Sequence, residues 1–199
     1  MVVTASVALA ACATTAFHST WRNPAAQPLY LEGKKVAALI LMEDVALRYA
    51  AEDALAREIT THGGVGVPAY TLIPKELTRD VEKARELLDK AEVEGVVAMR
   101  LVAIERDVTA SSGTQWGTPG YSSFWGPGFW GWGWEGAYES GFVRLDMNFI
   151  VETLVYSLPQ NMLVWASESR TTNPTRVEPF MRELGKKVAE EMKKQGLLG

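Results

Sequence analysis

The residues that could do chemistry are few. Cys12 is the only cysteine in 199 residues, and the histidines number two, His18 and His62. A zinc or redox centre needs a cluster of Cys, His or carboxylate ligands, and none is spaced for it. The chain has no Gly-x-Ser-x-Gly elbow and no phosphate loop ending in Gly-Lys-Ser/Thr. Carboxylates such as Asp146 and Glu152 fall on the polar positions of a strand pattern, where charge is expected without catalysis. Thr171-Thr172-Asn173-Pro174-Thr175 is explained by a turn followed by a helix cap. We therefore expect no catalytic residue, no metal site, no cofactor and no enzymatic activity.

Cys12 stands out by what precedes it. Met1 to Ala11 carries no charge and is built of small and apolar residues, closing on Leu9-Ala10-Ala11. Such a run reads as the h-region of a secretory signal. A buried first helix is the other reading, but it would need polarity at period 3.6, and the first charge is Arg22. No Lys or Arg precedes Cys12 as in a full signal; a start upstream of Met1 would supply it.

Leu9-Ala10-Ala11-Cys12 resembles the lipobox of bacterial lipoproteins. The resemblance implies that Cys12 carries a diacylglyceryl group and palmitate and becomes the new N-terminus. It also implies, from Ala13 rather than Asp after the cysteine, an outer-membrane address facing the periplasm. Each buried lipid CH₂ contributes about 0.8 kcal/mol, so two or three acyl chains hold a domain stably.

Between Cys12 and the body, residues 13–32 are largely polar and contain Pro24 and Pro28. They read as a tether, with an exposed His18. The remainder, 33–196, is long enough for one domain with its own core, and the lone cysteine leaves it no internal disulfide. A formal charge of −4 argues against nucleic acid, whose binders show a basic stripe.

The hydrophobic pattern predicts β-α-β-α-β-β-β-α. A strand over Lys35–Met42 is apolar throughout, as a strand covered on both faces should be. Asp44 caps a helix to Thr61, striped by Leu47, Ala51, Ala54, Leu55 and Ile59, with Arg48 and Glu52 assigned to its wet side. His62 suits the helix C-terminus. Strands at Val65–Leu72 and Val96–Thr109 flank a helix opened by Thr78 or Asp80. From Val143, alternation puts Val143, Leu145, Met147, Phe149 and Val151 on one face. Arg144, Asp146, Asn148 and Glu152 fall on a solvated one. Leu158-Pro159-Gln160-Asn161 turns into Met162–Thr171, and Asn173-Pro174 opens a last helix striped by Val177, Phe180, Met181, Leu184, Val188 and Met192.

Right-handed crossovers make the first three strands parallel neighbours, and the hairpin adds antiparallel ones. The expectation is an α+β fold: a mixed five-stranded sheet with helices mainly on one face. This element order, with the lipobox, resembles envelope proteins of anticodon-binding-domain-like fold: the curli secretion lipoprotein, the penicillin-binding-protein activator lipoprotein and the N-terminal domain of the translocation protein TolB. The resemblance implies a non-catalytic envelope module.

An insertion at 111–141, between the third and fourth strands, departs from that pattern. It holds five of the seven tryptophans, nine of the seventeen glycines and no Lys or Arg. Loops of this length are usually functional. In Trp130-Gly131-Trp132-Gly133-Trp134 an extended chain puts three indoles on one side. Four roles fit: a cover that completes the domain's own core, a protein-binding surface, a membrane-interface contact, or a glycan-stacking platform. As a contact surface it would use Trp116, Tyr121, Trp125, Phe129, Trp130, Trp132 and Trp134. The partners expected are the membrane through the lipid, and an envelope protein or a second copy of the chain. Cys12→Ala, expressed with its native upstream region, should abolish incorporation of labelled palmitate and release the protein from the membrane fraction.

Overall fold

The computed structural model describes residues 15–77, 80–106, 147–174 and 176–198. Among the described residues, six strands and three α-helices follow one another as β1 (Thr15–Arg22), β2 (Lys35–Leu41), α1 (Val45–Thr61), β3 (Val65–Pro68), α2 (Val81–Lys90), β4 (Val93–Arg106), β5 (Met147–Ser157), β6 (Met162–Thr172) and α3 (Val177–Lys194). They form one sheet in the order β1-β6-β5-β4-β2-β3. The crossovers through α1 and α2 leave β3 and β4 parallel to β2 on either side. Pairing of β4 with β5, β5 with β6 and β6 with β1 is antiparallel. The fold class is thus the expected one, with a sixth strand.

That strand corrects the tether. Thr15–Arg22 pairs along β6, with Thr15 opposite Thr171 and Arg22 opposite Trp165. Its polarity is that of an edge strand, in which Phe17 turns inward while His18 and Thr20 face solvent. Phe17 packs edge-on against Trp165 at 6.0 Å, and Thr15 Oγ1 lies 2.8 Å from Thr171 Oγ1. The next stretch also docks: Leu29 is buried, and its N–H donates to Leu197 O at 2.8 Å. The domain therefore begins at or before Thr15, not at residue 33.

Both faces of β2 are covered, as its apolar run requires. Val36, Ala38 and Ile40 join Val97, Met99, Phe149 and Trp165 beneath α1 and α3. Ala37, Leu39 and Leu41 join Val96, Ala98, Leu154 and Tyr156 on the other face, where α2 brings Ala84 and Leu88. The α3 stripe is as expected, with Phe180, Met181, Leu184, Val188 and Met192 buried. Asp44 caps α1 by accepting from Leu47 N at 2.9 Å, and Asp80 caps α2 by accepting from Lys83 N at 3.1 Å.

Two boundaries and the burial of one strand face differ. The second predicted strand stops at Pro68 and turns into a short 3₁₀ segment, Ala69–Thr71, because proline has no N–H to extend a ladder. Asn173 does not open the last helix: at φ +49° its N–H donates to Met147 O and its Oδ1 accepts from Met147 N, both at 2.8 Å. Asparagine tolerates that left-handed conformation, and the paired Asn173 holds the chain one turn short of α3, which starts at Val177. The polar positions of β5 are not solvated either. Asn148 and Glu152 are buried, and Glu152 forms an ion pair with Arg100, its cross-strand neighbour on β4. Arg144 and Asp146 lie outside the described residues.

Helix α1 crosses β3 so closely that a Cβ on Gly66 would stand 1.9 Å from Ala56 O. A backbone atom cannot swing aside as a side-chain tip can. Gly66→Ala should lower unfolding free energy by at least about 3 kcal/mol, read as a shift of the urea midpoint.

Candidate functional site

The residues the sequence singles out for lipidation and contact, Cys12 and Trp116, Tyr121, Trp125, Phe129, Trp130, Trp132 and Trp134, all lie outside the described residues. What the structure does place is their points of attachment. One row of paired residues runs across the sheet: Thr15 opposite Thr171, Thr171 opposite Phe149, and Phe149 opposite Ile104. Beyond that row, on the same side, β4 ends at Arg106 and β5 starts at Met147, which are themselves paired. The chain reaches Thr15 from this side too. Cys12 is three residues upstream, and a fully extended chain covers at most about 3.6 Å per residue. The start of β1 at Thr15, the end of β4 at Arg106 and the start of β5 at Met147 therefore share one end of the sheet.

The row is well held. Thr15 N–H donates to Glu183 Oε1 of α3 at 3.0 Å. Thr172 Oγ1 donates to Asn148 Oδ1 at 2.7 Å, one pair further out. Large apolar side chains are exposed near it: Val102 at 43% and Met147 at 36%.

A second cluster corrects the sequence reading of α1. Arg48 and Glu52 are not on a wet side; both are buried, Glu52 at 1% exposure. Their spacing carried the signal, because 48, 51, 52 and 55 follow the i, i+3, i+4, i+7 rhythm of a helix's inner stripe. Charge outweighed position in the sequence reading. Glu52 accepts from the N–H of Ile40 at 3.3 Å and of Tyr70 at 2.7 Å, joining β2 to the turn after β3. Arg48 Nε lies 3.8 Å from Glu52 Oε1 and makes no hydrogen bond. The guanidinium lies 5.3 Å from the centre of the Tyr49 ring. Tyr49 in turn stacks on Tyr70 at 4.1 Å, and the Tyr70 hydroxyl donates to Asp53 Oδ1 at 2.9 Å.

Burial pushes the Glu52 carboxyl up to about 7, against the pull of the two amides and of Arg48. A carboxyl so placed could exchange a proton near neutrality. Yet the space bounded by Leu39, Arg48, Glu52, Ala69, Tyr70 and Ile73 has no room for a water molecule. The cluster works as a clasp between strand, helix and turn.

Elsewhere, an apolar cavity of about 50 Å³ lies between α1, α3 and the sheet, under Leu55, Gly185 and Val188, with Glu58 and His62 on its wall. His62 is where the sequence placed it, at the C-terminus of α1, with Nδ1 3.0 Å from Glu58 O. His18 is exposed on β1. Among the described residues no group of three or more His, Cys, Asp or Glu could hold a metal ion, and no helix is long and apolar enough to cross a membrane.

No family model matches the chain, and no curated protein does. Solved structures do. The chain is similar to a point variant of PelC from Paraburkholderia phytofirmans, a dodecamer, at 13% identity and TM-score 0.50, over 89% of this chain and 96% of that one. A second crystal form of the PelC dodecamer aligns at 13% identity and TM-score 0.49, over 88% and 94%. Lipoprotein GNA1162 from Neisseria meningitidis aligns at 8% identity and TM-score 0.42, over 81% and 99%. At these identities the likeness is one of fold. The class is an α+β domain with a mixed sheet, similar in fold to a PelC subunit.

The Glu52 carboxyl gives the fold a pH dependence. The folded protein holds this proton more tightly than the unfolded chain, whose value is 4.5. Its contribution is therefore full below pH 4.5 and is lost as pH rises through about 7, at a total of up to about 3 kcal/mol. Glu52→Gln should flatten the slope of melting temperature against pH between 4.5 and 8. It should also lower the melting temperature at about pH 5, because an amide leaves one of the two N–H donors without an acceptor.

Proposed function

We propose that this chain is a non-enzymatic envelope lipoprotein, anchored through Cys12 at the outer membrane, and that it acts as a binding or assembly module. The Gly- and Trp-rich segment 111–141 is its contact surface. The observation that supports this reading is the shared end of the sheet: β1 starts, β4 ends and β5 starts on the same side. The likeness of fold to a PelC subunit supports it, and since that protein is a dodecamer, a second copy of the chain is one partner this module would take.

The alternative from a different class is a structural lipoprotein whose aromatic segment completes its own core. Deletion of residues 112–139, with the flanks joined by a short turn, separates the two. Because Arg106 and Met147 are paired, closing that hairpin leaves the rest of the sheet in register. As a contact surface, the segment should be removable with little change in melting temperature and with loss of association. As core, its loss would remove roughly 1.5–3 kcal/mol for each buried indole, enough to abolish a fold whose margin is about 5–15 kcal/mol.

A further inference from the structure

We infer that the edge of β1 pairs antiparallel with the same edge of a second copy of the chain, about a two-fold axis at Trp21. The inference goes beyond the contact-surface reading and does not depend on segment 111–141. It starts from the two edges of the sheet, β3 and β1. Strand β3 is four residues long and closes on Pro68, and shortness and proline both discourage the addition of a further strand. Strand β1 runs from Thr15 to Arg22 without a lysine or a proline.

The ladder shows which main-chain groups of β1 are left over. Asn23 N–H donates to Val164 O at 3.0 Å, one pair beyond Arg22 opposite Trp165. Bonded and non-bonded pairs alternate in an antiparallel ladder, so Ser19 and Trp21 turn their N–H and C=O groups to β6. Thr20 and Arg22 turn theirs away from the sheet. The bulge between Phe17 and Ser19 ends this stretch on one side. Pro24, which has no N–H, ends it on the other. Two outward residues flanking Trp21 remain.

One register uses both. With Trp21 opposite its twin, Thr20 of each strand meets Arg22 of the other, and each such pair exchanges two hydrogen bonds. Sliding one strand by two residues sets Arg22 against Arg22 in one direction and against the bulge in the other. The chosen register gives each Arg22 a threonine opposite it, so like charges are not directly opposed. It also makes the Trp21 pair a non-bonded one, in which side chains stand closest and aromatic pairs are favourable. Trp21 is 46% exposed, and tryptophan and arginine are enriched among the side chains that carry binding energy.

The edge is held ready for pairing. Arg22 Nη1 donates to Gln195 O, Gln195 Nε2 donates to Thr20 Oγ1 at 3.2 Å, and Trp165 Nε1 donates to Gln195 Oε1 at 3.1 Å. Association thus has little left to order. So short an edge buries less surface than a permanent dimer does, and the dimer forms in a concentration-dependent way.

The test uses the full chain with Cys12→Ser, which removes its sole cysteine. Sedimentation velocity from micromolar to near-millimolar concentration should show a monomer giving way to a dimer. Thr20→Pro deletes only an outward N–H and should leave a monomer throughout. In the same background Trp21→Cys should form an intermolecular disulfide under mild oxidation, because a non-bonded pair holds its Cα atoms about 4.5 Å apart, within disulfide reach. Val65→Cys, exposed on β3, should not. Amide hydrogen exchange of the Cys12→Ser parent decides the matter even where Thr20→Pro fails to fold: the Thr20 and Arg22 amides should exchange fast in dilute protein and slowly in concentrated protein. A parent that stays monomeric at every concentration overturns the inference, as does a dimer that survives Thr20→Pro. Slow exchange of those amides in the dilute monomer means that the chain covers its own edge, and overturns it too. A dimer lost on deletion of residues 112–139 but kept in Thr20→Pro overturns the β1 edge and leaves the contact-surface reading standing.

Discussion

Strand β2 has no wet side. From Val36 to Leu41 every residue is buried, so the sheet must be covered on both faces where this strand runs, and the chain's path follows from meeting that demand. Helix α1, leaving the end of β2, covers one face and returns the chain to β3. Helix α2 then crosses the other face and brings β4 to the opposite side of β2. Helix α3 comes back at the end of the sequence to pack beside α1, where Gly185 would bring a Cβ to 3.0 Å from Glu58 Cγ. The antiparallel half, β4 to β6, grows outward from this parallel centre. Its last member is β1, and the contact of Phe17 with Trp165 ties that edge into the same core.

Two of the buried carboxylates among the described residues have close partners. Glu52 takes two backbone amides that would otherwise have no acceptor, and so links three consecutive elements of the parallel half. Arg100 and Glu152 pair across β4 and β5 in the interior, whereas the pair of Arg170 on β6 with Glu105 on β4 is exposed. Glu168 lies opposite both Glu152 and Ser19. Burial raises its carboxyl above the usual range, and His18 nearby opposes that. Buried pairs of this kind contribute little net stability, since desolvation offsets their attraction, but removing one partner is costly. Their effect is to hold register, because a one-residue slip would separate each pair.

The side of the sheet on which β1 starts and β4 ends follows from topology. In sequence, Cys12 and Trp130 are far apart and belong to different segments. Antiparallel pairing of β1 with β6, β6 with β5 and β5 with β4 brings the start of β1 and the open ends of β4 and β5 to one side. An even number of reversals between β1 and β4 would have put the end of β4 at the far end of the sheet, beside Trp21.

Much of the architecture was legible in the sequence. The continuous apolar run of β2, the caps Asp44 and Asp80, the inner stripe of α3 and the turn at Leu158–Asn161 all arise from local periodicity and local hydrogen bonding, which a sequence displays directly. So did the crossovers, because the handedness of parallel connections leaves little choice. The lipobox resemblance and the unusual composition of 111–141 belong to this local kind of information as well. Other features depended on what a segment meets in space. Thr15–Arg22 looks like a linker until β6 supplies its hydrogen-bond partners. Arg48 and Glu52 look solvent-bound until Ile40 and Tyr70 present amides to the carboxylate. Asn148 and Glu152 sit on a polar alternation that would suit water equally well. Polar side chains read as exposed because burying one without a partner costs several kcal/mol, and only the tertiary structure, by bringing partners from distant parts of the chain, removes that cost.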